Sequence, residues 1–143
     1  MLVINRSDGD IDTEFYKRVV ERILVEETGR DDAVLVFVDE EEISEMNERF
    51  RGMEGPTDVL TFVYDDEDLL GEIIVCPEVV ERNAESFGVE PEEEMLRVVI
   101  HGALHLSGYD HEFDESRAEE MFKKQEKLLR EFLRSSRSGD PDP

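Results

Sequence analysis

The densest chemistry in this chain lies in the run from His101 to His111, which reads H-G-A-L-H-L-S-G-Y-D-H. All three histidines of the protein, His101, His105 and His111, fall inside it. Positions i and i+4 of a helix lie one turn apart on one face, so His101 and His105 can grip one ion if the segment is helical. Gly108 offers a helix stop, because glycine takes positive φ without a Cβ clash, and the turn can bring His111 back to the same point. Three neutral imidazoles with one open position form the ligand set of a catalytic zinc site, so one Zn2+ ion is expected. Two histidines four apart on a helix commonly mean nothing. Three at this spacing, with glycine at the bend and no histidine elsewhere, are far more specific. A purely structural zinc would close with a fourth protein ligand, for which Cys76, Asp110 and Glu112 are candidates.

Zinc held by three neutral imidazoles keeps its full charge. It lowers the pKa of a bound water to about 7 and polarises carbonyl or phosphoryl oxygens. The expected reaction class is hydrolysis of an ester, amide or phosphodiester.

The elements that must hold these residues follow from patterning. Pro91 opens a helix whose first turn carries Glu92, Glu93 and Glu94, where carboxylates complement the helix dipole. From Met95 to Leu106 it is apolar on most sides, which predicts a central, buried helix with His101 and His105 as its polar exceptions. Arg97, one turn before His101, reads as a salt-bridge partner of Glu93 or Glu94 rather than a catalytic group.

Upstream, Leu2-Val3-Ile4 predicts a first strand, and residues 12–28 a helix burying Phe15, Tyr16, Val19, Val20, Ile23 and Leu24, with Gly29 as its C-terminal cap. Ala33 to Val38 is a continuous apolar run, as expected of a central strand buried on both faces and parallel to the first. Asp39 and Glu42 have the spacing of a capping box for a second helix burying Ile43, Met46 and Phe50. Val59–Tyr64 and Leu69–Cys76 read as an antiparallel hairpin, and Pro77 opens a helix burying Val80, Ala84 and Phe87. A last helix runs from an Asp114 cap to about Leu133, with Met121, Phe122, Leu128, Leu129 and Phe132 able to pack. The expected fold is α+β: a small mixed sheet of about four strands (a parallel βαβ start plus an antiparallel hairpin) packed with about five helices. Residues 1–134 form a single catalytic domain, and the Ser/Gly/Asp/Pro-rich stretch 135–143 is expected to be a disordered tail.

Composition narrows the class. The net charge is −23, from 39 acidic against 16 basic residues. That argues against a broad nucleic-acid-binding face, which needs clustered Lys and Arg, but not against a local basic cleft. No stretch approaches membrane-spanning length, and the start of the chain has no basic region followed by a long apolar run. The single cysteine, Cys76, reads as a small buried apolar residue. A cytoplasmic protein with no membrane partner is expected.

The histidine spacing matches the zinc motif of the metzincin proteases, H-E-x-x-H-x-x-G-x-x-H, and so suggests a zincin-like metal helix. Here, however, Gly102 stands where those enzymes carry their general-base glutamate, which weakens a peptidase reading. Asp110, Glu112 and Asp58 are other acids that could take the proton. The same run also resembles the signature of the bacterial YbeY family, H-G-x-L-H-L-x-G-Y-D-H. Phe50-Arg51-Gly52 followed by Pro56-Thr57-Asp58-Val59-Leu60-Thr61-Phe62 is similar to that family's F-R-G…P-T-D-V-L-S-F segment. Gly71-Glu72-Ile73-Ile74-Val75-Cys76 resembles its G-D-I-x-I strand.

The resemblance covers most of residues 1–134. It implies a zinc-dependent, single-strand-specific endoribonuclease acting in rRNA processing, at the 3′ end of the small-subunit ribosomal RNA, and in ribosome quality control. Its metal ligands carry over to His101, His105 and His111, and its functional arginine to Arg51. Arg51 suits that role, because a guanidinium can fork onto two phosphate oxygens; its alternative is to satisfy last-turn carbonyls of its own helix. Thr57 and Asp58 read first as structural residues at a loop-to-strand entry. The partners implied are single-stranded RNA, ribosomal RNA, and the ribosome or ribosome-assembly proteins, with no DNA expected.

One departure concerns the loop Met53-Glu54-Gly55, where the family often has a lysine. With this charge, binding of free RNA is expected to be weak and to depend on the ribosome or another partner. The competing classes are a zinc peptidase or other zinc hydrolase, and a non-catalytic zinc-containing assembly factor.

Overall fold

In the computed structural model, residues 1–64, 66–109 and 115–138 are described. The elements are β1 (Leu2–Asn5), α1 (Thr13–Thr28), β2 (Ala33–Phe37), α2 (Glu40–Arg51), β3 (Val59–Val63), β4 (Gly71–Val75), α3 (Pro77–Phe87), α4 (Pro91–Leu106) and α5 (Glu115–Ser138). The strands form one mixed sheet in the order β1-β2-β4-β3. β1 and β2 are parallel, β2 and β4 are parallel, and β3 returns antiparallel on β4 with Leu60 opposite Ile74. This is the expected α+β architecture, and it leaves β3 at one edge of the sheet.

Successive side chains of a strand point to opposite faces, and the two apolar clusters follow that alternation. On one face Leu35, Phe37, Ile73 and Val75 pack with α1, α4 and α5. On the other, Val36, Val38, Leu60, Ile74 and Cys76 pack with Ile43 of α2 and Val79 of α3. The β2 run is therefore covered on both sides, which is why it contains no polar residue.

α4 is the central helix, in contact with α1, α3 and α5 and lying against β3 and β4. Its approach to the sheet is set by Gly102. A Cβ there would meet Ile73 Cγ2 at 2.7 Å, and Ile73 is itself fully buried. At the far end, Ser107 caps the helix and Gly108 turns the chain at φ +101°, the stop its sequence position suggested.

Several local expectations are corrected. Phe50, Phe87 and Phe122 are exposed rather than buried. Phe50 instead meets Phe62 edge-on, with ring centroids 5.4 Å apart. Asp39 stands at the N-cap of α2, but its side chain does not bond the helix. Its Oδ1 accepts the Asp8 N–H at 3.1 Å, while Glu42 pairs with Arg6, so tertiary partners displace the capping box. α5 continues through Ser138, past the helix end expected near Leu133. The Asp114 cap and residues 139–143 lie outside the described residues.

Adding one methyl group at Gly102 tests the close approach of α4. Gly102→Ala is expected to lower stability by about 1–3 kcal/mol, since overpacking a full core forces its neighbours to shift. A fall in the urea midpoint, against an unchanged midpoint for Ala substitution at the exposed Glu45 in the middle of α2, is the outcome to look for.

Candidate functional site

α4 places His101 and His105 one turn apart, with ring centroids 4.8 Å apart. Both line a cleft of about 680 Å³ with Arg51, Thr57, Asp58, Gly108 and Tyr109. The opposite wall is β3, whose consecutive residues Val59 to Val63 all line it. A strand presents consecutive residues to one side only along its edge, so the cleft runs beside the sheet's open edge and its backbone groups.

The structure thus brings Arg51 to the two histidines although fifty positions separate them in the chain. Arg51 is the last residue of α2 and is exposed. The carbonyls of Asn47 and Glu48 accept the Gly52 N–H instead, and among the described residues no hydrogen bond or ion pair ties the Arg51 guanidinium. Its role as a cap for its own helix is therefore not realised. The buried Asn47 donates Nδ2–H to the Gly55 carbonyl at 3.0 Å and pins the loop that follows Arg51.

Thr57 and Asp58 enter β3 as expected of structural residues, yet both also line the cleft. The Thr57 hydroxyl donates to Asp58 Oδ1 at 3.3 Å, and the Asp58 carbonyl accepts the Cys76 N–H at 2.9 Å. Asp58 is the carboxylate among the described lining residues. His111, Asp110 and Glu112 lie outside the described residues. Cys76 is fully buried in the cluster on the α2 face of the sheet, the face opposite α4, and burial raises its thiol pKa. It does not reach the cleft as a fourth ligand. Gly102 faces Ile73 of β4 rather than the cleft, so a glutamate at that position could not serve as the base.

Behind α4, sequence reasoning found only part of the arrangement. Arg97 pairs with Glu93 and Glu94, as its spacing suggested. It also grips Glu126 of α5 through Nε at 3.1 Å and Nη2 at 3.3 Å. Next to Glu126, the buried Gln125 meets His101 Nδ1 at 2.7 Å. Gln125 was missed, yet it carries a signal: it is the only glutamine of the chain and sits at helical spacing in the apolar stripe Met121, Leu128, Leu129, Phe132. A polar residue in such a stripe requires a buried partner.

Known proteins resemble this chain over most of its length. The family model of Endoribonuclease YbeY matches residues 2–133. A Thermotoga maritima protein named Endoribonuclease YbeY is 46% identical over 144 residues, covering 99% of this chain and 96% of its own. A namesake from Bdellovibrio bacteriovorus is 39% identical over 131 residues, covering 85% and 87%. A solution structure of a Thermotoga maritima protein superposes with a TM-score of 0.72 at 43% identity, covering 99% of this chain and 95% of the other.

The Arg97 clamp has a pH signature. Burial alone would raise the Glu126 carboxyl, but hydrogen bonds from Arg97 and Gln125 outweigh it and hold the pKa below the usual carboxylate value. A depressed folded-state pKa contributes stability above the unfolded value of about 4.3 and loses it as pH falls below that. Glu126→Gln should be less stable than the parent at pH 7, and the difference should shrink between about pH 5 and 3 in urea melts.

Proposed function

The chain belongs to the endoribonuclease YbeY family, and from that membership we propose that this endoribonuclease cuts single-stranded RNA with one zinc ion held by His101, His105 and His111. Its place is ribosomal RNA processing, at the 3′ end of the small-subunit RNA and in ribosome quality control. The observation that carries the reading is the meeting of Arg51 with His101 and His105 in one cleft.

The donor set fits zinc. Two imidazoles stand one turn apart on a helix held rigid by burial, and the sequence supplies a third just past the turn at Gly108. Bound there, zinc supplies a Lewis acid for a phosphoryl oxygen and a water acidified toward neutral pH. Arg51 forks onto the phosphate and offsets charge that builds on its oxygens as the bond breaks. Asp58, beside it in the cleft, takes up the proton released from the attacking water. The open edge of β3 offers backbone donors and acceptors along which an extended strand of RNA can lie. With a net charge of −23, long-range steering is repulsive. Productive binding therefore depends on the ribosome or an assembly protein. Among the described residues no helix is long and apolar enough to cross a membrane; a cytoplasmic location suits the substrate.

Purified protein is expected to cleave single-stranded RNA, to stop when a chelator is added and to resume when zinc is restored. Arg51→Ala should lower kcat by about 100- to 1000-fold, the effect of removing one transition-state donor, with zinc content unchanged. His105→Ala should lose zinc and cleavage together. Cleavage that ignores the chelator or survives in both variants would sink the reading.

In the same assay Asp58→Asn separates proton transfer from binding. A loss in kcat of about 100-fold or more with KM and zinc content kept is expected of a general base, and an unchanged kcat removes Asp58 from that role.

A further inference from the structure

The polarity of the hydrogen bonds behind His101 is dictated by two groups that each have a single role. A guanidinium only donates and a carboxylate only accepts. Arg97 donates to both oxygens of Glu126, through Nε to Oε2 at 3.1 Å and through Nη2 to Oε1 at 3.3 Å. Glu126 Oε2 then accepts from Gln125 Nε2 at 3.1 Å, since nothing else on that amide can donate. With its NH2 turned to Glu126, Gln125 presents Oε1 to His101, 2.7 Å from Nδ1. An amide oxygen cannot donate, so Nδ1 must carry the hydrogen. The neutral imidazole then keeps its lone pair on Nε2.

We infer that Gln125 is a positioning residue for the metal site: it fixes His101 in the Nδ1–H tautomer and holds the ring so that Nε2 is the ligating atom. The inference rests on the zinc reading above. The relay runs His101, Gln125, Glu126, Arg97, Glu94 and joins α4 to α5 across the back of the site. Gln125 and Glu94 are both buried, which excludes water as a competing partner and keeps the relay in one register. Outer partners of metal-bound histidines act in this way, raising ligand basicity and removing the cost of selecting a tautomer. Gln125 touches neither RNA nor the reacting phosphate. Its effect is on how tightly and in what geometry the ion is held.

The test compares the full chain with Gln125→Leu, which keeps bulk and helix propensity but has no acceptor, and with the exchange Gln125→Glu/Glu126→Gln, whose carboxylate restores one while the new amide keeps a donor between the two positions. Two readouts are needed. The first is the 15N spectrum of the His101 ring in metal-free protein, at a pH where the imidazole is neutral. The second is zinc affinity by competition with a chromophoric chelator. The parent should show the Nδ1–H form, and so should the exchanged pair, with affinity within a few-fold of the parent. Gln125→Leu should move His101 toward the Nε2–H form and bind zinc about 10- to 100-fold more weakly. An unchanged tautomer and affinity in Gln125→Leu, or equal losses in both variants, would overturn the inference while leaving the zinc reading intact. A parent chain that shows the Nδ1–H form but binds no zinc would overturn the zinc reading and this inference with it.

Discussion

The site depends on how closely α4 can lie against the sheet. With glycine at position 102, the helix approaches β4 until its backbone rests against the buried Ile73. That approach sets where the next turn stands, and hence where His101 and His105 sit relative to the edge strand β3. A helix buried among α1, α3, α5 and the sheet has no freedom to rotate or slide without opening voids in a close-packed interior. The imidazoles inherit that rigidity. A metal site gains from it because its ligands are ordered before an ion arrives.

Burying a helix that carries polar side chains raises a second requirement, which α5 meets. His101 on the inner helix needs a partner for Nδ1, and Gln125 is supplied from a stripe that is otherwise apolar. Glu94 is buried too, and Arg97 compensates it while reaching across to Glu126. Had any one partner been missing, a buried polar group would have been left unsatisfied, at a cost of several kcal/mol for a charged one. The side of α4 away from the cleft is thus a closed polar network, and the cleft side is left for chemistry. The surface works in the opposite sense. Most of the chain's acidic residues face solvent, and Arg51 is a lone cation among the described residues that line the cleft. A single guanidinium in a negative field can hold a phosphate that is delivered to it, but gathers few from solution.

The run from His101 to His111 determined the candidate ligands, because helical spacing and a glycine stop are local properties. The strands, the hairpin, the parallel pairing of β1 with β2 and the central position of α4 were legible for a similar reason: apolar periodicity and Pro/Gly punctuation act over a few residues. The failures share a cause as well. Phe50, Phe87 and Phe122 stand at helical positions that could be inner or outer, and only the packing of other elements decides which. Asp39 has the spacing of a cap, yet Asp8, thirty-one positions away, takes its carboxylate.

What only the tertiary structure decided is which distant residues meet. It brings Arg51 from the end of α2, and Asp58 from the entry to β3, to the histidines of α4. It turns Gly102 toward the sheet, which settles why no glutamate belongs there, and sends Cys76 to the far face. It also pairs Gln125 with His101 across two helices, a contact that no spacing rule within either segment contains. Sequence patterns record what a residue's near neighbours require. The partners of a buried polar group are chosen by how whole elements pack, and that choice is not written at any one position.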